Sequence, residues 1–177
     1  IAASVAAGFG SNGGVAISGA GATSTNVNLT KANAYVDNST ILSAANVDID
    51  AKNTAAINAT VAAVSVSLGV GGKAGVGASI GVSLAENYIG WDADDNSMPA
   101  EVQAYVRDSS INATGSLTVD ALATGSIDAI VLAGSAAIAA GGKAGVGLSG
   151  AGVSATNKIA TNIKAFIDGD NDNSAAA

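Results

Sequence analysis

Two short acidic segments are the parts of this sequence best suited to metal chemistry. Their candidate ligands are Asp168, Asp170 and Asp172 in the run DGDND, and Asp92, Asp94 and Asn96 in the run DADDN. Hard cations such as Ca²⁺ take several oxygen ligands at short range, and alternating carboxylates on a turn can supply them. We therefore expect Ca²⁺ at 168–172 and at 92–96. Neither segment has the glutamate that closes an EF-hand, and a solvated turn built from turn-forming residues is the alternative.

A glycine-rich block with a lysine has a superficial likeness to a phosphate-binding loop. In GVGGKAG (69–75) the residue after Lys73 is Ala74, whereas a phosphate loop needs a Ser or Thr there to contact the magnesium ion. The block also recurs along the chain, whereas a phosphate loop occurs once between a strand and a helix. We interpret the glycines as residues of a turn or of a close backbone approach, with Lys73 exposed and opposing edge-to-edge aggregation.

The inventory of catalytic side chains is small. The chain has no His and no Cys, so imidazole or thiolate metal sites and disulfides are excluded. The carboxylates are grouped in turns and differ between aligned segments, since Asp37 aligns with Arg107 and Asp48 with Thr118. These features predict a protein that is not an enzyme, although the carboxylates alone leave a two-carboxylate glycosidase open.

Charge and hydropathy restrict the partners. The net charge of −7 argues against nucleic acid, which needs a basic face, and against anionic membrane surfaces. The longest uncharged apolar run, about 57–72, is shorter than the ~20 residues of a spanning helix and is rich in Gly, Ser and β-branched residues. The sequence therefore predicts no nucleic-acid binding and no membrane insertion.

Four aromatic residues are candidates for recognition. Tyr35, Tyr105 and Phe166 occupy one position of an internal repeat, which predicts a stacked ladder inside the fold, with a carbohydrate-binding stripe as the alternative. Trp91 lies outside the repeat and is the only tryptophan. A lone exposed Trp is a candidate partner-binding residue, and packing of its own loop is the alternative.

The chain repeats itself, and this organises the elements that carry these residues. Segments 8–26, 69–87 and 139–157 align at offsets of 61 and 70 residues, so the unit is 61 residues long and one copy has a nine-residue insert at 91–99. The predicted divisions are the end of one repeat (1–33), a full repeat with its insert (34–103), a second full repeat (104–164) and the start of another (165–177). Because no capping segment is visible, we expect a window of a longer array or a subunit that continues into its neighbours.

Alternation of apolar and polar residues predicts an all-β repeat architecture. Val47, Ile49 and Ala51 alternate with aspartates, whereas 61–70 is small or apolar on both faces and is typical of a strand covered on both sides. Segment 71–75 is then either the turn of a long hairpin or a corner of a β-solenoid. The solenoid interpretation, which we favour slightly, divides each unit into about three rungs of ~20 residues.

The recurring motifs carry a resemblance to a known class of proteins. The order A-Y-V-D-x-S (34–39), V-x-I-x-A (47–51), a block with GGKAGVG (71–77) and a closing S-x-A-x-N (83–87) resembles the repeats of giant bacterial surface adhesins, the filamentous-haemagglutinin-like extracellular repeat proteins. The resemblance implies a secreted, all-β, structural or adhesive segment that forms a stalk or filament at the cell surface. Its partners would be neighbouring copies of itself or cell-surface carbohydrate. The alternative function is a carbohydrate- or partner-binding module that uses the Trp91 insert.

Overall fold

The computed structural model of the chain describes residues 1–43 and 45–169, and the regular structure within them consists of β-strands. The strands are β1 (Ala2–Gly10), β2 (Gly13–Asn28), β3 (Ala32–Asp37), β4 (Thr40–Ser43), β5 (Val47–Gly71), β6 (Ala74–Ile89), β7 (Ala100–Arg107), β8 (Ser110–Ala113), β9 (Leu117–Gly141), β10 (Ala144–Ile159) and β11 (Thr161–Asp168). The described ranges contain no helix long and apolar enough to cross a bilayer. The all-β prediction is confirmed.

Strands pair in parallel with the equivalent strand of the next repeat. Ala2 lies opposite Ala63 and Thr161 opposite Ala100, both one 61-residue unit apart. Ala32 lies opposite Val102, a separation that also includes the insert. One repeat is therefore one coil of a solenoid-like stack. The division of each repeat into three rungs was wrong, because strands pair at separations of 61 and 70 residues, whereas three rungs would pair them at about 20.

The chain forms two compact units, and each full repeat contributes to both. The first unit consists of residues 1–26, 57–87 and 127–157. Its strands belong to two three-stranded sheets, ordered β1-β5-β9 and β10-β6-β2. The first ten residues of β5 and of β9 are part of the second unit. The segment GGKAG forms the turn between β5 and β6, as the hairpin interpretation required. However, the two strands belong to different sheets, so the connection is an arch between facing sheets.

Small residues line the space between the two sheets of the first unit. A Cβ on Gly69 would lie 2.0 Å from the carbonyl oxygen of Val76, and one on Gly71 would lie 1.7 Å from that of Ala74. The facing backbones are thus too close for any side chain at these positions. The glycines of the repeated block are explained by this approach, and Lys73 at the turn is exposed.

The outer faces of the first unit are apolar and open to solvent. Along β5 the odd-numbered residues from Ile57 to Gly71 are buried, whereas even-numbered Val64 is 50% exposed. On β6 the outward Ile80 is 60% exposed. The prediction that 61–70 is covered on both sides was therefore wrong within this chain, since one side packs inside and the other remains uncovered.

The second unit holds a conventional apolar core. It consists of residues 27–56, 88–126 and 158–177, of which the structure describes the part up to 169. Its cluster of buried residues joins Val102, Ala104 and Val106, on β7 of the sheet ordered β11-β7-β3, with Ile49 and Ala51 on β5. Strands β4 and β8 form a separate two-stranded sheet. The neighbouring aspartates of β5 are exposed, which confirms the alternation predicted for this strand.

Candidate functional site: side-chain ladders and the insert loop

An asparagine ladder runs along the stack in the first unit. Asn26 donates from Nδ2 to Oδ1 of Asn87 at 2.8 Å, and Asn87 donates in the same way to Asn157 at 2.9 Å. Asn87 is fully buried. A carboxamide has both a donor and an acceptor, so identical side chains at one repeat position satisfy each other from coil to coil. The ladder was not predicted, although the recurrence of Asn at this position in all three copies was its signal.

Serines form a second buried network between the two sheets of the first unit. The hydroxyls of Ser65 and Ser79 are 2.7 Å apart, Ser65 donates to Ser18 at 3.0 Å, and Ser18 lies 2.9 Å from Ser4. The network thus joins facing sheets and successive coils. Ser67 is also fully buried, but its hydroxyl has no hydrogen-bond partner within the described part of the chain.

The three aromatic residues of the repeat stack on one another in the second unit. The ring centroids of Tyr35 and Tyr105 are 5.3 Å apart, and those of Tyr105 and Phe166 are 5.1 Å apart, with interplanar angles of 10° and 7°. The predicted ladder is confirmed. Carbohydrate stacks on ring faces, and here the faces of Tyr105 are occupied by the neighbouring rings. This arrangement favours a structural role over a sugar-binding stripe.

An ion pair joins two coils beside this stack. Arg107 donates from Nε and Nη2 to the two carboxylate oxygens of Asp37, at 3.0 and 2.7 Å. The hydrogen bond from Arg107 lowers the pKa of Asp37, and the same bond raises the pKa of Arg107. These two residues occupy equivalent positions of successive repeats. The two repeats differ at this position because one supplies the carboxylate and the other the guanidinium of a bidentate ion pair along the stack.

The insert at 91–99 folds into a small loop around one carboxylate. Oδ1 of Asp92 accepts hydrogen bonds from the backbone N–H groups of Asp94 and Asn96, at 3.0 and 2.7 Å, and its Oδ2 accepts from Nδ2 of Asn96 at 2.9 Å. The side-chain bond from Asn96, followed by its backbone bond, lowers the pKa of Asp92. Asp95 closes the turn with φ of 68°. The prediction of an exposed loop is confirmed, since residues 93–99 are exposed.

Trp91 is packed against a lysine of the second unit. Nζ of Lys158 lies 4.6 Å from the centroid of the Trp91 ring and forms an ion pair with Asp95. Trp91 is half-buried and forms a β-bridge with Ser97. One face of the indole is therefore occupied by the loop's own contacts, and its role in partner binding stays a prediction.

The candidate calcium ligands lie in different situations. Asp92, Asp94 and Asn96 share the insert loop, but the carboxylate of Asp92 is already occupied by N–H donors of the turn. Asp168 ends β11, and Asp170 and Asp172 lie outside the described residues. Within the described ranges, no three or more His, Cys, Asp or Glu side chains converge on a point that could hold a metal ion. Calcium binding stays a prediction.

A small cavity lies next to the insert in the second unit. Its volume is about 260 Å³, and it is lined by Leu29, Lys31, Met98, Pro99, Glu101 and Asn162. Nζ of Lys31 is 3.3 Å from a carboxylate oxygen of Glu101, so the charged groups of the lining neutralise each other. The volume is below the ~300 Å³ at which small-molecule pockets begin.

Comparison of the chain with protein families, with curated proteins and with solved structures finds no match.

Proposed function

We propose that this chain is a structural, adhesive segment of a large extracellular repeat protein, which forms a stalk or filament by the stacking of β coils. The observation that carries the proposal is the in-register ladder of identical side chains, Asn26–Asn87–Asn157, along the stack. Such a ladder has no chemical use within a single coil. It stabilises only an array in which the same residue recurs at the same height of each coil.

The proposed mechanism is mechanical. Each further coil adds one strand to every sheet, and the ring stack and the ion pair repeat the link at the surface of the second unit. The outermost strands, such as β1 and β9 of one sheet, carry a row of backbone N–H and C=O groups on their open side. These edges are suited to pairing with a further coil of the same protein, whether in the same chain or in a neighbouring copy. The proposal involves no catalysis.

Placement at the cell surface is supported by the motif resemblance. The coils are held by backbone hydrogen bonds and side-chain ladders, and the sequence contains no Cys, so the stack needs no disulfide in an oxidising environment. Antibody labelling of intact source cells tests this part of the proposal. Labelling only after permeabilisation contradicts it.

Electron microscopy of arrays of increasing repeat number tests the stalk. One coil per repeat predicts that the stalk lengthens by ~4.8 Å for every added 61-residue unit. Three rungs per repeat would lengthen it by ~14 Å, and independently folded beads would lengthen it by the diameter of a domain. Either of these two results would contradict the proposed stacking.

The alternative function is recognition of a carbohydrate or protein partner by the insert. It is supported by the exposure of residues 93–99 and by the presence of the only Trp in this loop. Deletion of 91–99 tests it, because the next repeat connects β10 to β11 without an insert and provides a template for the shortened link. Binding to immobilised glycans or source-cell surfaces that disappears on deletion, while the circular dichroism spectrum is retained, supports this alternative over a purely structural role.

A further inference from the structure

The outer face of the β10-β6-β2 sheet is apolar and is left open by this chain. Outward residues of its three strands are largely exposed, at 62% for Val15, 75% for Ile17, 60% for Ile80 and 65% for Leu148. No charged residue occurs between Ala74 and Ala85 on the central strand. From Ala74 to Ala85 on the central strand the inward residues are Gly, Ala and Ser, whereas the larger apolar side chains of this stretch point away from the interior. An exposed apolar face of this kind marks an interaction surface.

The surface of this face has a raised row of side chains, the ridge, between two shallow grooves, the columns. The ridge is formed by Ile80, Val82 and Leu84 on β6. Beside Ile80 and Val82 the columns are formed by glycines at the equivalent positions of the neighbouring strands, Gly19 and Gly21 on β2 and Gly150 and Gly152 on β10. Beside Leu84 the equivalent residues are Thr23 and Ser154. A Cβ at any of these four glycines would meet nothing within 4 Å, unlike one at the interior glycines. The packing of this chain therefore does not explain why they are glycine.

We propose that this face pairs with the same face of a second copy of the chain, so that two stacks associate side by side. A shift by one strand places the ridge of each copy in a glycine column of the other, which makes the face self-complementary about a twofold axis. Insertion into lipid is disfavoured, because the open edges of β2 and β10 would leave backbone groups unpaired in hydrocarbon. The inference is independent of end-to-end stacking.

The area of the face sets the strength of the pairing. Eleven residues (74–84) on three strands cover ~36 Å by ~14 Å, about 500 Å², of which a shift by one strand leaves two strands, or about 350 Å², in contact. A stable interface buries ~800 Å² per partner, so three coils pair weakly and about six coils reach that area. For this reason the test traps the pair covalently.

The chain has no Cys, so an introduced cysteine is its only thiol. Ile80→Cys places it at the centre of the face, and Val64→Cys, of similar exposure on the other sheet, is the matched control. With bis-maleimidoethane, we expect the Ile80→Cys chain to form dimers about tenfold faster than the control. Adding Gly21→Val, whose Cβ would meet nothing within 4 Å inside the chain, fills a column and should lower this rate about tenfold.

Three results would overturn the proposal. Equal cross-linking of both variants would indicate end-to-end stacking, since every residue is then equally far from its equivalent in the next copy. Faster cross-linking at Val64→Cys would place the contact on the other sheet. Flotation of uncross-linked chain with phosphatidylcholine vesicles would identify lipid as the occupant of the face.

Discussion

The side-chain amide of Asn26 donates to the side-chain carbonyl of Asn87 one coil away, at 2.8 Å, and Asn87 repeats the same bond toward Asn157. Each carboxamide is thereby oriented by its neighbours. Because a shift by one residue would bring non-identical side chains into contact, the ladder holds the register of the first unit.

Replacement of the central residue of the ladder tests this role. Asn87→Ala removes a fully buried carboxamide and both bonds of the ladder, but half-buried Asn26 and exposed Asn157 can then bind water, so we expect a loss of about 1–2 kcal/mol in the free energy of unfolding. Urea denaturation measures it. Asn58→Ala, at an exposed position of β5, is the control and should change the stability by less than ~0.5 kcal/mol. Equal effects of the two variants would show that the ladder adds nothing to the stack.

Replacement of Ser65 and of Ser67 by alanine should change the stability of the protein in opposite directions. Both are fully buried on β5, but Ser65 is hydrogen-bonded to two other serines, whereas the hydroxyl of Ser67 has no partner among the described residues. We expect Ser65→Ala to destabilise the protein by about 1–2 kcal/mol and Ser67→Ala to be neutral or stabilising by up to ~1 kcal/mol. Thermal unfolding of the two variants at equal concentration is the measurement. A loss of stability with Ser67→Ala would mean that its hydroxyl is satisfied.

The glycines of the first unit should divide into two classes on substitution. Gly69→Ala places a Cβ 2.0 Å from a backbone oxygen of the facing strand, so the sheets must separate, and we expect a loss of more than ~3 kcal/mol. Gly134→Ala places its Cβ in open space and should be neutral or stabilising by up to ~1 kcal/mol, since alanine lowers the entropy of the unfolded chain. Chemical denaturation distinguishes them. If both alanines are tolerated, the sheets are not in close contact at Gly69.

The sequence predicted the local elements better than their partners. The alternation of Val47, Ile49 and Ala51 with aspartates predicted the strand and its buried face, and recurrence of aromatic residues predicted the ring stack. The path of the coil was missed, because period-two patterns state which side of a strand is buried but not which strand lies beside it. The 61-residue offset between repeats is also the separation between paired strands. The prediction of three rungs assumed short strands, and the sequence pattern does not show that β5 is 25 residues long.

The side-chain contacts between successive repeats were not predicted for a related reason. Asp37 and Arg107 occupy the same position of successive repeats but have opposite charges. In an alignment of the repeats this difference indicates a variable position, whereas in the stacked coils the two side chains form an ion pair. Likewise, residues 61–70 are small or apolar on both sides, and hydropathy alone cannot distinguish a covered face from one that this chain leaves open. For the insert, the aspartates and Asn96 predicted a turn or a metal loop, and only the hydrogen bonds of Asp92 describe how the turn is closed.

Removal of the Arg107 guanidinium should return the pKa of Asp37 toward its ordinary value. The folded-state pKa of Asp37 is lowered, so its stabilising effect is present at neutral pH and is lost as the pH falls through that lowered pKa. NMR titration of the Asp37 carboxyl should therefore give a higher pKa in Arg107→Gln than in the parent chain. Arg107→Lys, which keeps the charge without the bidentate bond, should give an intermediate value. An unchanged pKa in Arg107→Gln would mean that the pair does not persist in solution.

The only tryptophan reports on the insert loop under acid titration. The pKa of Asp92 is lowered chiefly by the side chain of Asn96, so the charged carboxylate that closes the turn persists at neutral pH and is lost only as the pH falls through the lowered pKa. Because Trp91 precedes Asp92 and packs under Lys158, opening of the loop should change its fluorescence. Asn96→Ala removes the main cause of the lowered pKa, and we expect the fluorescence transition to move to higher pH. Ser109→Ala, remote from the insert in sequence, should leave it in place. A transition that is the same in all three chains would show that the Asp92 turn does not hold the loop around Trp91.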